Sequence, residues 1–264
     1  MKFLRADETG DNENGASIRP LVHMTPATNV ASNGRQGRGA AAEALPQLPT
    51  DFEHVRAGLP SVRPEVLDAC LVALRRMGGP NLRSVGVTSS GKGEGRSTVA
   101  TAMAVIQASE YQRKTILVEL DAHKPSAASE LGLAQGPGVA EYLRDGVDLE
   151  RCIQWPTENL GVMVAGANPS MAQVLRGTAA DELVAVLSRR VDMVVLDLPS
   201  LSKGAGGVQL VDLCEAVALV VRAGEVSTHR IEEAAAALSA PPFVILNGVK
   251  SAAPNWVRRL LGMH

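Results

Sequence analysis

The sequence predicts an α/β fold. The expected architecture is a three-layer sandwich, a mainly parallel sheet with helices on both faces, preceded by a disordered N-terminal tail. Two observations carry this. Short, nearly unbroken apolar runs, such as Ile116 to Val118 and Val194 to Leu196, alternate with longer segments of helical periodicity. Polar residues suited to ligand chemistry (Thr88, Glu119, Asp121, Asp197 and Asn247) then fall at the carboxyl ends of those runs. In parallel sheets that edge holds the ligand.

The 264 residues suffice for one domain with an appendage and a sizeable core. Aromatics make up only 3% of the chain, and small aliphatic residues suit close helix-on-sheet packing. A net charge of −2 gives no overall mark of a nucleic-acid binder. Three cysteines, Cys70, Cys152 and Cys214, have neither CxxC nor paired-histidine spacing, so reduced thiols are expected rather than a metal or disulfide framework. Met1 to Arg5 lacks the apolar run of a signal peptide and no run approaches membrane-spanning length, which points to the cytoplasm.

Residues 1–60 lack sustained periodicity and are rich in Gly, Ala, Asn, Pro and Thr. They are expected to be a disordered tail. A domain follows over 61–250. Its first helix starts at Arg63 to Glu65 and runs to Arg76, carries Leu67, Cys70, Leu71 and Leu74 on one face, and is stopped by Gly78-Gly79-Pro80. Strand Ser84 to Thr88, a glycine-rich loop to Gly95 and a helix to about Glu110 come next. Further strands are expected at Lys114 to Asp121, Leu160 to Ala165, Val191 to Leu196, Ala216 to Arg222 and Phe243 to Asn247. Helices are expected near Ser126–Leu131, Val139–Arg144, Met171–Arg176, Ala179–Arg190 and Val208–Cys214, with another capped by Ser227.

The strand–loop–helix unit over residues 84–104 has the layout of a phosphate loop. Glycines let backbone N–H groups approach phosphate oxygens, the helix start favours an anion, and a hydroxyl such as Ser97 reaches Mg²⁺. The strict pattern is not met: Ser90 stands where the first glycine belongs and Arg96 where the lysine belongs. Taken alone, the loop fits a ligand-free turn equally well. Asp197 fits either a metal contact through water or a turn-starting residue. Glu119 and Asp121 share one strand face, where two carboxylates call for a cation, whether Mg²⁺ or the neighbouring His123 and Lys124. It is their convergence with the loop on one edge that favours a nucleotide fold.

Residues 83–250 resemble the bacterial tyrosine kinase branch of the MinD/ParA-like P-loop ATPases, cytoplasmic partners of capsule and exopolysaccharide chain-length regulators. The resemblance rests on Gly93-Glu94-Gly95 with Ser97-Thr98, on Ile116 to Asp121 with Pro125, on Ala165-Gly166 with Asn168-Pro169, and on Asp197 to Ser200. It implies ATP or ADP with Mg²⁺, held by Gly93, Glu94, Gly95, Arg96, Ser97 and Thr98. Asn247 would read the adenine edge. Ser97, Asp121 and Asp197 would bind or orient the metal, and Glu119 would act as the base beside Asp121 and Asp197. It also implies a membrane-embedded co-polymerase or chain-length partner, and leaves homo-oligomerisation open.

The departures from the family pattern fall on the chemistry. Arg96 replaces a lysine, Glu119 an aspartate and His123 an arginine. The family's C-terminal tyrosine cluster and its ExxRxxR signature are not found. The expectation is therefore a nucleotide-binding protein with weak or lost tyrosine autokinase activity. A non-catalytic scaffold of the same system, and a MinD/ParA-like positioning ATPase, stand as alternatives. Residues 251–264 include an amphipathic stretch, with Trp256, Val257, Leu260 and Leu261 opposite Arg258 and Arg259. It could lie on the inner face of the membrane or pack on its own domain.

Overall fold

In a computed structural model, residues 3–4, 64–121, 126–134, 136–167, 175, 178–203 and 205–249 are described. The amphipathic segment 251–264, the Asn168-Pro169 stretch, the helix expected near residues 171–176 and His123 lie outside the described residues, apart from Leu175.

The described residues build a seven-stranded sheet. Its strands are β1 (Phe3–Leu4), β2 (Ser84–Ser89), β3 (Thr115–Glu119), β4 (Leu160–Met163), β5 (Met193–Asp197), β6 (Ala216–Arg222) and β7 (Phe243–Asn247). The spatial order is β1-β7-β6-β2-β5-β3-β4. Strands β2 to β7 pair in parallel, as their unbroken apolar runs require. Only β1 is antiparallel; it pairs Phe3 with Ile245 and Leu4 with Val244 at the edge. Those two residues lie inside the stretch read as a tail, and two residues are too short a run to show strand periodicity.

Alternation along the strands sorts the core into two faces. On one, Val85, Val87, Leu117, Val195 and Val220 pack under α1 (Pro64–Met77) and α2 (Arg96–Ser109). Helix α1 turns Leu67, Cys70, Leu71 and Leu74 inward, at the helical spacing read from the sequence. On the other face, Ile116, Val118, Val194 and Leu196 pack under α4 (Val139–Asp145), α5 (Leu149–Cys152), α6 (Ala179–Ser188) and α7 (Ala205–Val211). Helix α8 (Thr228–Ala236) covers Leu219 and Val221 nearer the β7 edge. Its cap is Ser227, whose hydroxyl accepts the Arg230 amide. Gly86 lies where the second layer comes closest: an added Cβ would stand 2.8 Å from Cys214 Sγ and from Leu198 Cδ1.

The three cysteines are free thiols. Burial pushes Cys70 and Cys214 up to about 12, so neither is a nucleophile at neutral pH. Among the described residues, no helix is long and apolar enough to cross a membrane.

The strand order places the candidate site. After β2 the chain passes through α2 to β3, two positions away, and β5 later fills the gap. The carboxyl ends of β2, β5 and β3 therefore lie side by side, with Glu119 opposite Asp197 in register. Parallel α/β sheets bind ligands at such a switch in strand order.

Candidate functional site

The loop between β2 and α2 is shaped by its glycines. Gly93 and Gly95 adopt φ of 77° and 89°, left-handed values that side chains with a Cβ avoid. At Gly95 a Cβ would also stand 2.1 Å from Asn247 Nδ2. Around Gly93 the space a Cβ would take is open. Helix α2 then starts at Arg96 with no side-chain cap on its N-terminus. Its first amides thus lack a side-chain acceptor, the arrangement that receives an anion.

The loop is braced from within and from strands β6 and β7. Glu94 is buried; Oε1 accepts the Ser90 hydroxyl at 2.7 Å and Oε2 accepts the Arg222 amide at 3.3 Å. Ser90, a departure from the loop pattern, therefore supplies a tie that a glycine could not. Asn247, expected to read an adenine edge, donates Nδ2 to the Glu94 carbonyl at 2.9 Å, and so holds the loop from β7. Arg222 donates Nη1 to the Gly93 carbonyl at 3.2 Å. Arg230 Nη2 lies 2.8 Å from the Cβ position of Gly91, near Glu94 Oε1 at 2.9 Å from the same point. Sequence reasoning missed Arg222 and Arg230. The signal that could have found them is position: one ends β6 and the other opens α8, on the ligand-binding edge.

The residue in the lysine position meets the acids. Arg96 donates Nε to Asp197 Oδ1 at 2.7 Å and Nη2 to Asp121 Oδ2 at 2.9 Å. The three side chains are 11%, 2% and 4% exposed, so the cluster is largely withdrawn from water. Burial pushes the Asp197 carboxyl up to about 6, against the opposing pull of Arg96 and a hydrogen bond from Ser97. The acids expected to call for a shared cation were Glu119 and Asp121; here the bridged pair is Asp121 and Asp197, and what bridges them is a guanidinium.

Other expected site residues are engaged elsewhere. Glu119, read as a base, has both oxygens occupied by backbone. Oε1 accepts the amides of Ser126 at 2.5 Å and Ala127 at 3.0 Å, and Oε2 accepts that of Ala165 at 3.3 Å. It thereby anchors the start of α3 (Ala127–Glu130) and the chain leaving β4. Thr98 turns its hydroxyl to Glu130 Oε1 at 3.4 Å. Thr88 ties the end of β2 to the Pro199 carbonyl at 2.8 Å. Ser97 and Asp197 do come together as expected.

A nucleotide phosphate fits this loop: the left-handed glycines, the open space at Gly93 and the uncapped helix start all suit an anion. A resident Mg²⁺ fits poorly. Its two carboxylates are already bridged by a permanent cation.

Comparison with known proteins agrees with this geometry. No protein-family model matches the chain. The tyrosine-protein kinase YwqD of Bacillus subtilis (strain 168) is 27% identical over 170 residues, covering 64% of this chain and 71% of that protein. The tyrosine-protein kinase CpsD of Streptococcus agalactiae is 25% identical over 160 residues, covering 59% and 69%. Among solved structures, the VpsO kinase domain superposes with a TM-score of 0.65 at 25% identity, covering 75% of this chain and 99% of that domain. A ParA family ATPase from Chlorobium tepidum shares the fold with a TM-score of 0.54 at 16% identity, covering 68% of this chain and 81% of that one. The chain is thus similar to bacterial tyrosine kinases in sequence, and carries the MinD/ParA-like P-loop fold.

Proposed function

We propose that this chain is a bacterial tyrosine kinase-like protein that binds ATP or ADP at the loop preceding α2. In this reading it serves exopolysaccharide or capsule polymerisation and export. It acts at the inner face of the cytoplasmic membrane, on a membrane-embedded co-polymerase or chain-length regulator. One observation supports the nucleotide above all others: two left-handed glycines lead into an uncapped helix at the switch in strand order. The amides of the loop and helix start hold the phosphates, joined by Arg96. A bound ATP would supply the transferable phosphoryl group. This chain's own residues position it and exclude water, with Glu94, Asn247 and Arg222 fixing the loop.

Tyrosine autokinase activity is weak or lost in this reading. Arg96 bonds to Asp121 and Asp197, and Glu119 bonds to three amides, so neither the acids nor the expected base is free for a substrate hydroxyl. Tyr111 and Tyr142 are both partly buried within the domain, and Tyr111 accepts a hydrogen bond from Arg75. The same contacts favour a second reading, a non-catalytic scaffold of the same system. Calorimetric titration of the full chain tests the first: ATP and ADP bind with Kd of about 1–100 μM, and no heat with either removes it. Phosphotyrosine mapping by mass spectrometry after incubation with ATP separates the two readings from an active kinase, for which stoichiometric label on Tyr111 or Tyr142 would speak.

A further inference from the structure

We propose that Arg96 fills the cation position of this phosphate loop, so that nucleoside phosphates bind here without a divalent cation and gain nothing from one. The inference rests on the phosphate-binding reading above. Asp121 and Asp197 leave adjacent strands β3 and β5 and are almost wholly buried. Two carboxylates so placed need a positive charge between them. The guanidinium provides it, with one nitrogen on each acid at 2.9 and 2.7 Å. A Mg²⁺ drawn to the same oxygens, at about 2.1 Å, would have to displace that group or sit against its charge.

The residue type matters. A lysine ammonium is a point charge on a flexible stem that can swing between partners, whereas a guanidinium is planar, forked and never deprotonated. Splitting its fork across two strands fixes its plane. Of its five N–H donors, these two contacts use two. The remaining three can meet a phosphate beside the uncapped amides of α2. The acid pair thus becomes a mount for the arginine in place of a seat for a metal. Ser97 joins that mount through its hydrogen bond to Asp197.

Two measurements on the full chain test this. In the first, ADP is titrated by calorimetry in EDTA and in excess Mg²⁺. The wild-type Kd changes by less than about threefold, whereas tightening by about tenfold or more in Mg²⁺ overturns the proposal. In R96K, which keeps the charge but not the fork, Mg²⁺ dependence returns; if R96K matches wild type, the arginine is not the cause and the proposal fails. In the second, Mn²⁺ alone is titrated and its free EPR signal followed. R96A binds at least about tenfold tighter than wild type because its acids lose the guanidinium that bridges them, and equal binding overturns the proposal. Should ADP bind under neither condition, the nucleotide reading fails while the Mn²⁺ comparison still decides whether Arg96 holds the cation position.

Discussion

Arg83 and Arg113 at the amino end of the strands and Arg96 at the carboxyl end use their guanidinium groups differently. At the amino end of the strands, Arg113 donates to the carbonyls of Leu82 at 2.7 Å and Asp192 at 2.5 Å, and to Gln107 Oε1 at 3.0 Å. Arg83 donates to the carbonyls of Ser188 and Val191 at 2.7 and 3.1 Å, while its amide goes to Glu215. These arginines stitch loops together through neutral backbone acceptors. At the carboxyl end, Arg96 bonds only to carboxylates. Carbonyl acceptors come with any backbone and carry no net charge. Two buried carboxylates cost desolvation that a charged partner has to offset, and Arg96 is bonded to both. The difference supports the proposed phosphate site at the carboxyl end.

The largest expected effect comes from removing the cation at the carboxyl end. R96A removes the guanidinium bridging the buried Asp121 and Asp197 and lowers stability by about 3–5 kcal/mol in urea denaturation at pH 8. Part of the loss is regained near pH 5, where Asp197 takes up a proton. A loss no larger than that of an arginine at the other end would erase the contrast between them.

Asp197 sharpens the comparison through pH. Its carboxyl titrates at about 6 in the folded chain against 3.8 ordinarily, so the folded state holds this proton more tightly than the unfolded state. Its contribution is then greatest at low pH and falls as pH rises from about 4 to about 6, by roughly 3 kcal/mol. Stability curves of wild type and D197N across that window should differ by this step. Parallel curves would show that burial does not strain the acid.

Gly95 carries a smaller effect on stability and a large one on binding. G95A forces a side chain into a left-handed position and against Asn247. It costs about 1–3 kcal/mol and weakens ADP binding by more than about tenfold. Thermal melts and calorimetry read the two effects separately.

The smallest effect belongs to the amino end. R113M gives up three hydrogen bonds, one of them at the exposed Asp192 carbonyl, and costs about 1–2 kcal/mol. ADP affinity is unchanged by it. A change in affinity would show the two ends to be coupled.

The sequence was sufficient for most of the fold. Apolar runs at Thr115–Glu119, Met193–Asp197 and Ala216–Arg222 are buried on both faces, and that requirement alone makes them strands of a covered parallel sheet. Helix α5 was missed: four residues opened by Asp148, whose side chain accepts the Glu150 amide, are too few to show a period. The loop and its two acids were also legible, because the glycines, the helix start and the strand-end positions are local properties of the chain.

What local sequence could not decide is which partner each polar group takes. Asp121 and Asp197 lie 76 positions apart, and only the insertion of β5 between β2 and β3 brings both to Arg96. The roles of Glu119, as an anchor for three amides, and of Asn247, as a brace on the loop, follow from the same packing. By itself the sequence determined that a glycine loop and acidic strand ends would share an edge, since periodicity and turn chemistry act over a few residues. The tertiary structure decided that one guanidinium bridges both acids on that edge, since a buried ion pair forms only where distant segments are held within about 3 Å of each other.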